Sequence, residues 1–130
     1  MVEGPDDEIA CKAMLEKQGF DLNKNNVSVV SCGGLPNIPT IARVLNALKI
    51  DTVALVDEDP GNSNTASIIV KLKGILGNNM VYLQSPNLEG IFGVLSKFNQ
   101  ASALTFFQNY QDGVPEVYSD LTTKLSPNGN

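Results

Sequence analysis

Residues 55–62 read LVDEDPGN: an apolar run from Thr52 to Val56 delivers Asp57, Glu58 and Asp59 just before a Pro-Gly break. In extended chain, side chains two apart point to one side, so Asp57 and Asp59 can face one ion while Glu58 faces away. An acid directly after Leu55-Val56 on a buried strand needs a partner or a metal. Asp59-Pro60-Gly61-Asn62 is also good turn chemistry, which accounts for Asp59 without any ion. A further carboxylate, Glu3, stands between Val2 and Gly4. From a neighbouring strand end it could complete an oxygen shell of the kind that the hard ions Mg2+ and Mn2+ favour.

Composition narrows the alternatives. The 130 residues contain no histidine, which removes Ser-His-Asp and Cys-His catalysis, histidine general bases and the usual zinc sites. Carboxylates and lysines remain for acid–base work or metal binding. Nine Lys+Arg against fourteen Asp+Glu give a net charge of −5, the wrong sign for an unaided nucleic-acid binder. A DNA or RNA substrate would need bound metal ions or another protein segment to offset that charge. Cys11 and Cys32 make no disulfide framework, read as small core hydrophobes, and make a reduced cytoplasm the expected compartment. No apolar run approaches the ~18–20 residues that span a bilayer, so no membrane partner is expected. The acidic opening MVEGPDDE has no apolar stretch of the kind that marks a secretory leader.

The elements that must position these acids follow from pattern. Residues 5–18 predict a helix, with Asp6, Asp7 and Glu8 in its first turn, Ile9, Ala13, Met14 and Leu15 as its apolar face, and Gly19 at its end. Residues 27–32 predict a strand that turns at Gly33-Gly34. Residues 38–49 predict a helix with Asn37 as N-cap, Pro39 in the first turn, and Ile41, Val44, Leu45 and Leu48 on the core face. Residues 52–56 predict a strand, 63–76 a helix, 80–83 a strand, 87–97 a helix and 101–110 a closing helix. The domain is expected over residues 1–120, with residues 121–130 as a frayed tail. Alternating strands and helices argue for an α/β fold, a parallel sheet of about four strands flanked by helices. Functional groups then gather at the carboxyl ends of the strands. Those ends are Glu3-Gly4, Cys32-Gly33-Gly34, Asp57-Glu58-Asp59 and residues 84–89, and three of the four carry carboxylates. Only Met1 and Val2 precede Glu3, against ~5–6 residues for a typical strand, so the first strand is expected to be truncated, beginning upstream.

A Val-Glu-Gly strand exit, a Gly-Gly loop and an Asp-x-Asp, in this order, resemble the Toprim domain, a Rossmann-like metal-binding module of topoisomerases, primases and several nucleases. The segments VEGPDDE (2–8), VVSCGGLPNIPTIARVLNALKI (29–50), LVDEDPGNSNT (55–65) and PNLEGIFGVLSK (86–97) are most similar to the Toprim half of OLD-family ATP-dependent endonucleases. The resemblance implies a metal-dependent DNA endonuclease domain using two ions, ~3.5–4 Å apart, that stabilise the attacking and leaving oxygens of phosphodiester cleavage. It implies that Glu3, Asp57 and Asp59 are metal ligands and that Asp7 and Glu89 belong to a second position. Glu3 serves either as ligand or as general base. Gly33 and Gly34 would let the backbone approach a metal or phosphate, beside the free N–H groups of the helix that follows. The resemblance further implies an ATPase segment that supplies dimerisation and much of the DNA grip. Relatives often carry lysine after the Gly-Gly, where this chain has Leu35. They also tend to carry two basic residues after Leu-Glu. This chain keeps Lys97, the candidate for transition-state neutralisation, but has Asn99 and Gln100 beyond it.

Plainer roles stand beside these. Asp6 and Glu8 suit a helix's first turn by the macrodipole alone, a role Asp7 shares. Glu89 near a helix start could cap it. Phe106, Phe107 and Tyr110 could stack bases, but their helical spacing points to a core. Two other readings remain open. One is a Toprim-like module without activity, serving assembly or regulation, supported by Leu35 and the missing basic residue. The other is a phospho-acceptor receiver domain, ranked last because Glu3-Gly4 stands where its acid pair belongs.

Overall fold

The computed structural model describes residues 1–126. Its sheet centres on β1 (Ala54–Asp57) and β2 (Val81–Gln84), which pair in parallel with Ala54 opposite Val81 and Asp57 opposite Gln84. Val2 lies on the other side of β1 and makes single parallel bridges to Leu55 and to Ser31. Four segments therefore run abreast, in the order Ser31, Val2, β1, β2. The expected sheet of about four strands is thus two strands of four residues and two bridge positions. The expected strand at residues 27–32 contributes only Ser31 to that pairing, as a single bridge to Val2. The ladder there consists of Val2 N–H to Val30 O at 2.9 Å and Cys32 N–H to Val2 O at 3.0 Å.

Strand alternation sends Leu55 to one face and Ala54 and Val56 to the other, and each face is covered. Helix α1 (Pro5–Lys17) packs there with α5 (Gln100–Gln108) and α6 (Glu116–Leu125), burying Ala10, Met14, Leu15, Ala103, Phe107, Tyr118 and Leu121 around Val2 and Leu55. Helices α2 (Ile38–Ala47) and α3 (Ser63–Leu76) cover the opposite face through Ile38, Ala42, Ile69 and Leu72. The short α4 (Leu88–Ile91) follows β2.

Local chemistry explains most boundaries. Asn62 caps α3 by accepting from the N–H groups of Asn64 and Thr65, and Gly77, at φ 101°, ends it. Asn37 does not cap α2. It lies in a 3-10 turn at Leu35–Asn37, and its Nδ2 donates to the carbonyls of Cys32 and Gly33 at 3.1 and 3.2 Å. The predicted core face of α2 is also corrected. Val44 and Leu48 are exposed, and the helix is anchored by Ile38, Pro39 and Ala42 instead. The helix expected over 87–97 stops at Ile91. Gly93 turns the chain at φ 68°, and residues 92–98 fold back over an aromatic cluster. In that cluster Phe92 meets Phe107 edge to face at 4.9 Å and Tyr110 at 5.4 Å, so Phe106, Phe107 and Tyr110 are packing residues. Within the tail expected from Leu121, residues 121–125 are helical: α6 runs to Leu125, with Tyr118 and Leu121 buried where it packs on α1 and β2. Of that tail, residues 127–130 lie outside the described residues.

Candidate functional site

The carboxyl ends of the parallel segments converge as the alternating pattern requires. Val2, clamped between Ser31 and Leu55, delivers Glu3 beside the end of β1. Glu3 Oε2 accepts the backbone N–H of Asp57 at 2.6 Å. Asp57 Oδ1 accepts two hydrogen bonds at 3.0 Å, one from Leu88 N–H and one from Gln84 Nε2. Asp7, in the first turn of α1, is buried. Its Oδ2 accepts from Gly4 N–H at 3.1 Å, closing the N-terminus of the helix, and its Oδ1 accepts from Gln84 Nε2 at 3.1 Å. The first-turn role and the place in the acidic cluster are therefore both real for Asp7.

Asp59 lies two residues past the last residue of β1, in the left-handed region at φ 45°. The simple alternation that would aim it alongside Asp57 ends with the strand, and Asp59 is instead held by its N–H to Pro86 O at 2.9 Å. It is still near enough to raise the carboxyls of both Glu3 and Asp57. Glu58 is turned aside to accept from the Ser85 hydroxyl at 2.6 Å. Glu89 does not cap α4, since Asn87 does so by accepting from Gly90 N–H at 2.7 Å. Glu89 Oε2 instead accepts Phe98 N–H at 2.9 Å and ties down residues 92–98, which carry the exposed Lys97. Gly33 and Gly34 take φ of 76° and 122°, and Gly34 N–H donates to Glu3 O at 2.7 Å. The loop is glycine because it must turn through the left-handed region against the backbone of an acid.

No ion pair among the described residues neutralises the cluster. Burial, then Asp6 and Glu3, pushes the Asp7 carboxyl up to about 7. Burial, then Asp7, Glu3, Asp59 and Glu89, pushes Asp57 up to about 8. Burial also raises Glu3, against the Asp57 N–H and the charge of Lys97, which lower it. Among the described residues the sole ion pair is Lys12–Glu8, on the outer side of α1. No three His, Cys, Asp or Glu side chains among the described residues stand grouped to hold one ion together. The donor set is nonetheless all hard oxygen. Asp57 and Glu3 each have one oxygen tethered by an N–H, and their other oxygens, Oδ2 and Oε1, accept no hydrogen bond from the described residues. Mg2+ usually retains several waters and takes one or two carboxylates, a demand that this pair meets.

Sequence reasoning missed two residues here. Gln84, fully buried at the end of β2, links Asp7 to Asp57, and Tyr118 of α6 donates its hydroxyl to Gln84 Oε1. The sequence offered only that Gln84 opens the strand end at residues 84–89; its place opposite Asp57 is set by the register.

Acids converging on the carboxyl ends of adjacent parallel strands, between helices on both faces, are compatible with a Toprim-type domain. Residues 1–59 match the family described as overcoming lysogenization defect protein-like, TOPRIM domain, and the chain carries a Toprim domain related to OLD-family proteins. A protein of Archaeoglobus fulgidus described as uncharacterized is 37% identical over 95 residues, covering 62% of this chain and 89% of the relative. The family match contains Glu3, Asp7, Gly33, Gly34, Asp57 and Asp59, while Gln84, Glu89, Lys97 and Tyr118 lie beyond it. Toprim domains as a class are associated with nuclease and primase activity and typically bind Mg2+. No helix among the described residues is long and apolar enough to cross a membrane.

Proposed function

We propose that this chain is the metal-dependent endonuclease domain of a larger OLD-like ATPase–nuclease and that it hydrolyses phosphodiester bonds in DNA. The observation that carries the reading is the Glu3–Asp57 pair. Two carboxylates on neighbouring strand ends are each fixed by a backbone N–H, and each keeps an oxygen without a partner among the described residues. Glu3 and Asp57 would hold one Mg2+ or Mn2+ with water filling the rest of its shell, Asp59 would add negative charge close by, and Asp7 and Glu89 would serve a second. Bound ions would supply Lewis-acid activation of water and of the scissile phosphate.

The protein's own residues do the rest. Burial and crowding keep the carboxylates ready to exchange protons for a divalent cation. The Gly33-Gly34 loop leaves room for a phosphate beside Glu3. Lys97, whose charge already reaches Glu3, would face the phosphate oxygens. Glu3 acts as ligand or as the base that orients water, and Asp57 as an anchor that does not move. An ATPase segment, in this chain's longer form or a companion, would supply dimerisation and the positive surface that a chain of net charge −5 lacks.

The test is nicking of supercoiled plasmid with Mn2+ or Mg2+, beside the Asp57→Ala/Asp59→Ala double variant and calorimetric ion titrations of both proteins. Saturable binding and nicking, both lost in the variant, support the reading. A folded chain that binds neither ion overturns it. That result would favour the second reading, an inactive module, for which Leu35 speaks: the position where relatives carry lysine is a residue packed in the core with Ile38 and Ala42.

A further inference from the structure

Among the described residues, Gln84 is the neutral side chain that joins the two most crowded acids. It is fully buried, and its amide nitrogen spends both hydrogens on carboxylates: one on Asp7 Oδ1 at 3.1 Å and one on Asp57 Oδ1 at 3.0 Å. The amide oxygen, on the other side, accepts the hydroxyl of Tyr118, which is itself fully buried. This orientation of the amide is the one that serves both acids: flipped, Gln84 would withdraw the two N–H donors that Asp7 and Asp57 now share and set its carbonyl oxygen against theirs. The Tyr118 hydroxyl meets the same orientation from behind, donating to the amide oxygen.

From this geometry we infer that Gln84 is a positioning residue for the metal-binding acids and that Tyr118 sets its orientation, which makes α6 part of the functional site. The inference rests on the metal-dependent reading above. Gln84 occupies the inner oxygens of Asp7 and Asp57 and so leaves Asp57 Oδ2 as the outward ligand. A lysine could cross-link the same acids, but its charge would compete with the cation. A neutral double donor holds them without neutralising them. Outer partners that fix ligand orientation in this way typically contribute about 10–100-fold to metal affinity. Tyr118 lies 34 residues from Gln84 in the chain, so the closing helix of the fold reaches the centre through one hydrogen bond.

The experiment is calorimetric Mn2+ titration of the whole chain at neutral pH, with Gln84→Leu, Tyr118→Phe and, as a control on α6 packing, Leu125→Ala. Each variant is first checked for a cooperative melt and titrated well below its melting temperature. The expected result is Mn2+ affinity about 10–100-fold weaker in Gln84→Leu and measurably weaker in Tyr118→Phe, with Leu125→Ala binding as the parent does. If Gln84→Leu does not fold, Tyr118→Phe decides, because it keeps the buried ring and removes only the hydroxyl. Parent-like affinity in Gln84→Leu, or in Tyr118→Phe where that variant decides, overturns the positioning role and leaves the metal reading standing. Equal weakening in Leu125→Ala reduces the effect to general loosening of α6 and also overturns it. Failure of the parent chain to bind Mn2+ overturns both.

Discussion

Glu3 and Asp57, 54 residues apart in the chain, are joined by a single short hydrogen bond in which the Asp57 N–H donates to Glu3 Oε2 at 2.6 Å. One acid thus caps the strand end that delivers the other. The geometry separates the charge of Glu3 from its shape. Glu3→Gln keeps an oxygen for the Asp57 N–H but removes the negative charge. It is expected to fold with a melting temperature close to the parent's and to bind Mn2+ about 10-fold or more weakly. Calorimetry beside a thermal melt decides, and unchanged affinity would remove Glu3 from the ligand set.

The raised carboxyls make stability depend on pH in a definite direction. Asp7 and Asp57 titrate at about 7 and about 8 in the folded chain, against 3.8 for a free aspartate. Between these limits the folded state holds protons that the unfolded state has released, so unfolding free energy falls as pH rises. The stabilisation is complete below 3.8 and is lost as pH climbs through about 7 and 8. Urea denaturation in EDTA from about pH 5 to 9 should show this decline, and Mn2+ should flatten its alkaline end. A flat or rising profile in EDTA would contradict the crowding of the two acids.

Gly90 lies in the Leu-Glu-Gly turn because nothing larger fits. A Cβ there would stand 2.6 Å from Pro86 Cγ and 2.7 Å from Cδ. Gly90→Ala must push apart the turn that places Leu88 N–H on Asp57. A loss of about 1–3 kcal/mol is expected in chemical denaturation. Parent-like stability would mean the turn yields without cost.

Leu121, 3% exposed in α6, packs with Tyr118 into the core around Val2 and Leu55. Leu121→Ala should therefore cost about 2–5 kcal/mol, as core truncations do, and ending the chain before this residue should cost more. A truncation after residue 120 that melts like the parent would return α6 to the status of a tail.

Lys97 is exposed, and its charge lowers the Glu3 carboxyl. Lys97→Ala is expected to leave melting unchanged and Mn2+ binding intact, with at most a small change in affinity, while slowing plasmid nicking by about 10–100-fold or more, the effect of losing one charge that steadies the transition state. Unaltered nicking would dismiss it from the mechanism.

How far the sequence could be read depended on whether a residue's role was local. Helix α3 was legible from end to end because Asn62 and Gly77 mark its limits by their own conformational chemistry. That Glu3 and Asp57 lie side by side was legible because strand ends in a parallel sheet gather at one edge, whereas Asp7, in the first turn of α1, was reached only through the family resemblance. The face of α2 was misread. Periodicity identifies an apolar stripe, but only the neighbours decide whether it is covered, and α3 covers Ile38 and Ala42 while Val44 and Leu48 remain exposed. Helix α6 was missed as a continuation of the fold because its buried residues, Tyr118 and Leu121, form one short contact line in a polar segment. Gln84 carried no motif, since an amide at a strand end acquires meaning only from the two acids and the hydroxyl that surround it.

The alignment of Asp57 opposite Gln84 has a consequence for folding fidelity. Sliding β2 by one residue would set Leu83 or Ser85 across from Asp57 and turn Gln84 to the wrong side of the sheet. Asp7, Asp57 and Tyr118 would lose their common partner in the same step. Two unclasped acids would then repel, so a mis-threaded sheet is penalised at the very place where the native one is joined. The same amide that arranges the acids thereby acts as a proofreader of strand offset.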